Sequence, residues 1–219
     1  MALLKTVASI LILSVTALAG SPDFVFMRSS LAKKAGFTVH QFNTQLLSAQ
    51  KRDLEQYEPQ EHACPMDLKV KAHNIFDHLL EASSLKHNYA MLNITPALVV
   101  LCDEGNKIGL GDGAGTRHDV TEVAEGLLNY LSTEENIAAV LAHEIAHSTR
   151  FHFDRLELRL DLGNVEQEAD TVSLSILRNA GYSPEIALTA LKKIEPALGP
   201  ASQQIVPRIV SLQKQLQHL

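Results

Sequence analysis

The 219-residue sequence lacks tryptophan altogether, and aromatic residues make up only 5% of it. The core must therefore be built from Leu, Ile, Val and Ala, and a hydrophobic content of 46% is sufficient for one domain of this kind. The sequence also lacks a lysine- or arginine-rich tract and carries a net charge of −6, which excludes the electrostatic footprint of a nucleic-acid-binding protein. We expect a single domain over residues 20–219 that does not bind nucleic acid.

No apolar run reaches the roughly 20 residues that a transmembrane helix requires. The first residues, MALLKTVASILILSVTALAG, combine a positive charge at Lys5, a short apolar stretch and Ala17-Leu18-Ala19 before Gly20. This order is typical of a cleaved secretory signal, here over residues 1–19, and the alternative is an uncleaved membrane anchor. The sequence thus predicts an exported protein, periplasmic or extracellular, with no stable membrane span after the signal is removed.

Only two cysteines are present, Cys64 and Cys102. In an oxidising compartment an even pair can form a disulfide. The alternative is that Cys102 is a small buried strand residue and Cys64 a free thiol. The sequence leaves both open, because it does not give the distance between them.

The hydrophobic spacing predicts an α+β fold that is mostly helical. Apolar residues three and four apart indicate helices over residues 38–57 and 66–85, and the same pattern recurs from Ser132 to the end of the chain. Between them, residues 97–103, 106–112 and 115–121 read as short strands of a β-meander, with a turn at Asp112-Gly113. Ser132 is the predicted N-cap of the next helix, with Glu135 completing a capping box. In the 66–85 helix we expect these residues to face the core: Leu68, Ile75, Phe76, Leu79 and Leu80.

The segment HEIAH begins at His143 within this helical region. Residues four apart lie on one face of a helix, so His143 and His147 can bind one Zn²⁺ with two imidazole nitrogens. Glu144 can then accept a proton from a metal-bound water that attacks a carbonyl. A catalytic zinc has three protein ligands and an open position, and Glu166 can supply the third. Asp170 lies four residues later on the same helix face and can accept the second N–H of a zinc-bound imidazole.

Two neighbouring residues are weaker candidates for binding the ion. Glu168 points about 200° away from Glu166 around a helix. His152 follows His147 by five residues, which is about 140° around a continued helix, so we do not expect it to coordinate the ion. We read it, with the remaining histidines, as a surface or core residue. The alternative for the whole region is a pair of ordinary amphipathic helices that are rich in His and Glu.

The sequence resembles a known family at this point. AAVLAHEIAHSTRFH, EQEAD and AGYSPEIALTAL are similar to segments of the HtpX-type and CAAX-prenyl-protease-type zinc metallopeptidases, and most of all to the small exported BepA-like and LoiP-like proteases. The resemblance covers residues 96–208. It implies a gluzincin fold with one zinc ion per chain, bound by His143, His147 and Glu166. It also implies that Glu144 is the catalytic base and Asp170 an accompanying acidic residue, sometimes described as a proton donor.

One departure from the family concerns the C-terminal region. Many members carry a His-Pro pair six residues before an arginine, whereas this chain has Ser202-Gln203 ahead of Arg208. Arg208 is therefore a candidate for orienting the site or stabilising an oxyanion. The alternative is a surface arginine that pairs with a carboxylate.

The expected function is a zinc endopeptidase that cleaves misfolded or unassembled exported proteins, with extended polypeptides as substrates. The alternative is a zinc-stabilised binding or chaperone module in envelope assembly that has no catalytic turnover. Glu144 favours the hydrolase, because a purely structural metal site does not need a base beside an open position. The sequence does not predict the oligomeric state.

Overall fold

A computed structural model describes residues 22–62, 64–83, 96–102, 113–160 and 163–218. The predicted signal over residues 1–19, the predicted strand over 106–112 and Asp112 of the predicted turn lie outside the described residues. Among the described helices, none combines the length and apolar character that crossing a membrane requires.

The described chain is mostly helical with one small sheet, so the predicted α+β class is confirmed. The predicted helices are confirmed within the described residues, the first at Val39–His62 and the second at Met66–Ala82, and a further helix that the sequence analysis did not predict precedes them. The described elements are α1 Pro22–Lys34, α2 Val39–His62, α3 Met66–Ala82, β1 Ala97–Leu101, β2 Ala114–Arg117, β3 Val120–Ala124, α4 Glu125–Leu131, α5 Glu134–Thr149, α6 His152–Glu157, α7 Val165–Asn179, α8 Glu185–Ile194, a 3₁₀ helix Glu195–Gln204 and α9 Ile205–Leu216.

The sheet is not a meander, which corrects the expected strand order. Its described strands lie in the order β1-β3-β2, with β3 parallel to β1 and antiparallel to β2. The segment predicted as one strand over residues 115–121 divides into β2 and β3 around a two-residue turn. His118 and Asp119 form this turn with φ of 46° and 61°, which is the backbone that a type I′ hairpin requires. β2 is therefore an edge strand of the described sheet.

The start of α5 also differs from the prediction. Thr133, not Ser132, is the N-cap, because its side chain accepts a hydrogen bond from the backbone N–H of Asn136. Ser132 instead follows α4, a short helix that the sequence pattern did not indicate, and has φ of 62°. Since α4 leads directly out of β3, the sheet and α5 are separated by nine residues, 125–133.

Helix α5 runs through the middle of the molecule. It packs against α3, α7, α8 and β2, so most of its circumference is buried. Leu141, Ala142 and Ala146 are fully buried in the main hydrophobic core. Aliphatic and small side chains make up most of this core, as the scarcity of aromatic residues requires. The remaining face of α5 carries the two histidines of HEIAH.

Residues outside α5 follow the predicted pattern with small differences. Four of the five expected core residues of α3 are buried and Leu68 is partly buried. Helix α7 ends before Gly181, whose φ of 80° is the left-handed conformation that glycine adopts readily after a helix. Helix α8 begins at Glu185 with Pro184 as its N-cap. Ser183 lies outside the helix, where its hydroxyl donates to the carboxylate of Glu185.

A disulfide joins Cys64 and Cys102. Cys64 lies just before α3 and Cys102 just after β1, and their Cα atoms are 5.1 Å apart. Cys102 is 3% exposed, so the bridge ends in the core. It therefore attaches the start of α3 to the sheet.

Candidate metal centre

Three side chains from two helices converge beside α5. His143 and His147 project from the same face of α5, and their Nε2 atoms lie 3.0 Å apart. Glu166 comes from the first turn of α7, with one carboxylate oxygen 3.3 Å from Nε2 of His143 and the other 3.5 Å from Nε2 of His147. Asn164 begins α7 by accepting a hydrogen bond from the N–H of Gln167, which fixes where this first turn lies.

These distances fit a divalent cation. Metal–ligand bonds of 2.0–2.1 Å in a tetrahedral zinc site place neighbouring ligand atoms about 3.3 Å apart. The separations of 3.0, 3.3 and 3.5 Å among the two Nε2 atoms and the Glu166 oxygens are close to that value. Of the described residues, His143, His147 and Glu166 form the cluster able to hold a metal ion. The sequence-predicted ligand set is thus the set that the fold brings together.

The surroundings move the pKa values of the two imidazoles in opposite directions. Burial lowers the pKa of His143, but hydrogen bonds with Asp170 and Glu166 outweigh it and raise the pKa to about 9. Burial, followed by the charge of His143, lowers the pKa of His147 to about 3. At neutral pH the pair therefore carries one proton more than two neutral imidazoles would. A cation that takes both Nε2 lone pairs has to displace that proton.

Asp170 contacts Nδ1 of the His143 imidazole, in the position that the sequence analysis expected for it. Its side chain is 3% exposed, and Oδ1 is 3.0 Å from Nδ1 of His143. Burial raises the pKa of Asp170, but hydrogen bonds with His143 and Arg208 outweigh it and hold the pKa at about 2. At neutral pH the side chain is therefore a carboxylate that accepts the N–H of His143, which favours the orienting role over that of a proton donor.

Arg208 reaches the centre from α9 and contacts two of its carboxylates. Its Nε and Nη2 donate to the two oxygens of Asp170 at 2.9 and 2.7 Å. Its Nη1 lies 2.9 Å from a Glu166 oxygen. The hydrogen bond with His143 and the charge of Arg208 are among the causes that hold the pKa of Glu166 at about 2. Arg208 is thus not a surface arginine; it links α9 to the acidic residues of α7.

Glu144, next to His143 on α5, is buried, with 7% exposure. Burial raises the pKa of this carboxyl above its usual range, against the lowering effects of His143 and Thr116. The Thr116 hydroxyl of β2 lies 3.1 Å from the Glu144 carboxylate and donates to it. A carboxylate with a raised pKa is a stronger general base at neutral pH. The sequence reasoning missed Thr116, because the contact joins a strand and a helix 28 residues apart.

His152 is the second residue that the sequence reasoning missed. Its Nδ1 lies 2.8 Å from Nδ1 of His147, so it contacts the candidate ligand from behind. Its Nε2 lies 3.3 Å from a Glu168 carboxylate oxygen. The prediction assumed one continuous helix, whereas the helix is broken between Thr149 and His152. Both His152 and Glu168 therefore lie next to the centre, although neither belongs to the cluster of ligand atoms.

A cleft of about 440 Å³ opens over these side chains. Gly113 to Thr116, at and just before β2, line one side of it. The opposite wall comes from α8 and the residues after it and is apolar. The charged and polar lining groups belong mainly to the metal centre. The apolar wall includes Ala187, Ala190, Leu191, Ile194 and Leu198.

Comparison with protein families identifies residues 112–161 as a match to peptidase family M48. This confirms the resemblance to HtpX-like metallopeptidases over that segment and indicates metallopeptidase chemistry. The matched segment contains HEIAH but ends before Glu166, so the third side chain of the centre rests on the geometry alone. The closer likeness to small exported members stays a prediction. No curated protein and no solved structure matches the chain.

Proposed function

We propose that this protein is a zinc-dependent endopeptidase that hydrolyses peptide bonds of misfolded or unassembled exported proteins. The observation that carries the proposal is the convergence of His143, His147 and Glu166 beside the buried carboxylate of Glu144, on one open cleft. A binding module would need the three ligands, but it would not need a base of raised pKa next to them.

The donor set favours zinc among the divalent cations. Two imidazoles and one carboxylate with a free fourth position are the ligands of catalytic zinc in several peptidases. When bound, Zn²⁺ supplies Lewis-acid polarisation of a carbonyl and lowers the pKa of a water molecule. Both imidazoles offer Nε2 to the ion, because Nδ1 of each faces another polar side chain. The centre thus fits one zinc ion per chain.

Glu144 acts as the general base in this proposal. Its carboxylate accepts the proton of the attacking water and then donates it to the nitrogen of the departing amine, so the group returns to its starting charge. Thr116 fixes the orientation of the carboxylate by donating to it at 3.1 Å. Burial raises the pKa of this carboxyl, which makes its carboxylate a stronger base.

Arg208 has an orienting role in this proposal. Its guanidinium donates to both oxygens of Asp170 and lies against a Glu166 oxygen, so its contacts are with the carboxylates of the centre. It neutralises part of the negative charge and holds Asp170 against His143. This arrangement supports the orienting alternative of the sequence analysis over the oxyanion alternative.

The cleft favours an extended polypeptide as substrate. Within the described sheet β2 pairs with β3 along one side, and Gly113 to Thr116 line the cleft. An extended chain can add to such an edge through backbone hydrogen bonds, without a requirement for sequence. The apolar wall opposite then accepts an apolar side chain. Misfolded or unassembled proteins expose segments of this kind.

Two features support export. The N-terminal residues have the order of a secretory signal. The Cys64–Cys102 disulfide is a bond that persists in oxidising compartments. Together they support a periplasmic or extracellular location for the activity.

The test is Glu144→Gln, with Glu135→Gln as the matched control at an exposed position of the same helix. We expect the purified wild type to contain one zinc ion and to cleave casein, and a chelator to abolish the cleavage. Glu144→Gln should keep the zinc and lose at least about 100-fold in rate, since it can no longer accept a proton. Equal cleavage by Glu144→Gln and wild type contradicts the mechanism. Zinc binding without cleavage by the wild type supports the binding-module alternative.

A further inference from the structure

The break between α5 and α6 brings a histidine back to the metal centre. Phe151 has φ of 54° and ψ of 39°, a left-handed conformation that costs a bulky residue about 1 kcal/mol or more. Its ring is 1% exposed and lies under the Arg28 guanidinium at 5.5 Å, and this burial offsets the cost. The chain therefore reverses at this residue. His152, the first residue of α6, returns towards His147 and is 5% exposed.

The contact between the His147 and His152 rings allows only a single arrangement of ring hydrogens once His147 binds a metal. The two Nδ1 atoms are 2.8 Å apart, a distance at which one nitrogen must donate and the other accept. A neutral imidazole that gives its Nε2 lone pair to a cation carries its hydrogen on Nδ1. His147 therefore donates and His152 accepts. The hydrogen of a neutral His152 is then on Nε2.

Nε2 of His152 faces a carboxylate. It is a buried nitrogen without a well-aligned hydrogen bond, and the Glu168 oxygen at 3.3 Å is the acceptor beside it. That same oxygen lies 3.1 Å from Nη1 of Arg155, and the other lies 3.4 Å from Nε of Arg150. The two arginines flank the carboxylate on both oxygens and hold it in place. A chain of polar contacts thus runs from His147 through His152 to Glu168.

We propose that His152 and Glu168 are positioning residues for His147: they fix its ring orientation and its Nδ1–H tautomer for metal binding. The proposal rests on the zinc centre of the proposed function and extends it. His143 is oriented directly by a carboxylate, Asp170, whereas His147 is oriented by a carboxylate acting through a second imidazole. Groups that accept the N–H of a metal-bound histidine fix the ring and raise its basicity.

The experiment compares His152→Leu, His152→Asn and Glu168→Ala with wild type. His152→Leu removes the acceptor, and we expect zinc affinity, measured by competition with a chelator, to fall about 10- to 100-fold. His152→Asn keeps an oxygen near the Nδ1 position and should recover most of that loss. Glu168→Ala should give a smaller loss. The ligand-field spectrum of the Co²⁺-substituted protein should change in His152→Leu and approach that of the wild type in His152→Asn.

His78→Asn is the matched control. Nε2 of His78 lies 2.9 Å from the backbone oxygen of Ala180, far from the centre in the fold, so its loss measures the structural cost of removing a histidine hydrogen bond. It should leave zinc affinity and the Co²⁺ spectrum unchanged. Thermal unfolding of the metal-free proteins shows how much each change costs in stability alone.

The outcomes separate the two proposals. Wild-type zinc affinity in His152→Leu, or equal losses in His152→Leu and His152→Asn, overturns the positioning role and leaves the endopeptidase proposal intact. A wild type that binds zinc in a His152-dependent manner but cleaves no peptide bond overturns the endopeptidase and supports the positioning role. A wild type that binds no zinc overturns both.

Discussion

Asp154 is the buried carboxyl for which the structure makes the sharpest stability prediction. It lies on α6 beside the β2–β3 turn and is 8% exposed. Burial, and next the negative charge of Asp119, raise the pKa of Asp154 from 3.8 to about 7, against the opposing charges of His118 and Arg28. Replacing it with asparagine keeps the shape of the protonated side chain and removes the ionisation.

The pH dependence follows from the two pKa values. The unfolded chain releases the Asp154 proton near pH 3.8 and the folded chain near pH 7, so the folded state holds more protons between them. The contribution of Asp154 to stability is thus fully present below pH 3.8 and is lost as pH rises to about 7. At about 1.4 kcal/mol per pKa unit, the loss reaches about 4 kcal/mol as an upper bound. Asp154→Asn should gain that amount over wild type, but only above neutral pH.

Urea unfolding followed by circular dichroism measures this gain, with a chelator in every sample so that metal binding does not contribute. We expect Asp154→Asn to exceed the wild type by about 1 kcal/mol or less at pH 4.5, by about 3 at pH 6 and by about 4 at pH 8. Asp77→Asn, the same change at an exposed position of α3, is the control and should show no such trend. A variant that is less stable than wild type at pH 8, or a gain that does not depend on pH, refutes the reasoning.

Two further predictions concern the disulfide and the proposed general base, Glu144. Changing both Cys64 and Cys102 to alanine removes a crosslink between residues 38 apart in sequence. On the chain-entropy model this should lower the free energy of unfolding by about 4 kcal/mol and the calorimetric Tm by roughly 10 °C. A loss of stability below about 1 kcal/mol would contradict the prediction. Thr116→Val removes the hydroxyl that donates to Glu144, and we expect kcat to fall about tenfold with zinc content unchanged. Thr171→Val, at an exposed position of α7, is its control, and an unchanged kcat in Thr116→Val would show that the base needs no such donor.

The spacing of residue types along the chain was sufficient to predict the structure where it is helical and regular. The four-residue spacing of His143 and His147 places them on one face of any helix, and the spacing of Glu166 and Asp170 does the same on α7. The fold class could be predicted for a related reason, because long amphipathic segments carry a strong signal. These features depend on neighbours within one or two helical turns.

The sequence pattern failed where the chain changes direction without a typical turn residue. His118 and Asp119 form a type I′ turn that a pattern of Asn-Gly or Asp-Gly does not reveal, so one strand was expected where the chain makes two. Ser132 looked like an N-cap because the end of α4 just before it carried no signal of its own. In each case packing in the sheet or the core selects a backbone conformation that the local residues do not prefer.

The sequence by itself determined which side chains can bind a metal, since ligand type and helical spacing are local properties. The tertiary structure decided which other side chains contact and orient these candidate ligands. His152 reaches His147 because the burial of Phe151 stabilises a left-handed residue that ends α5. Arg208 reaches Asp170 because α9 packs against α7. Such contacts depend on free energy gained by burying distant segments against each other, and no periodicity within one segment encodes that gain.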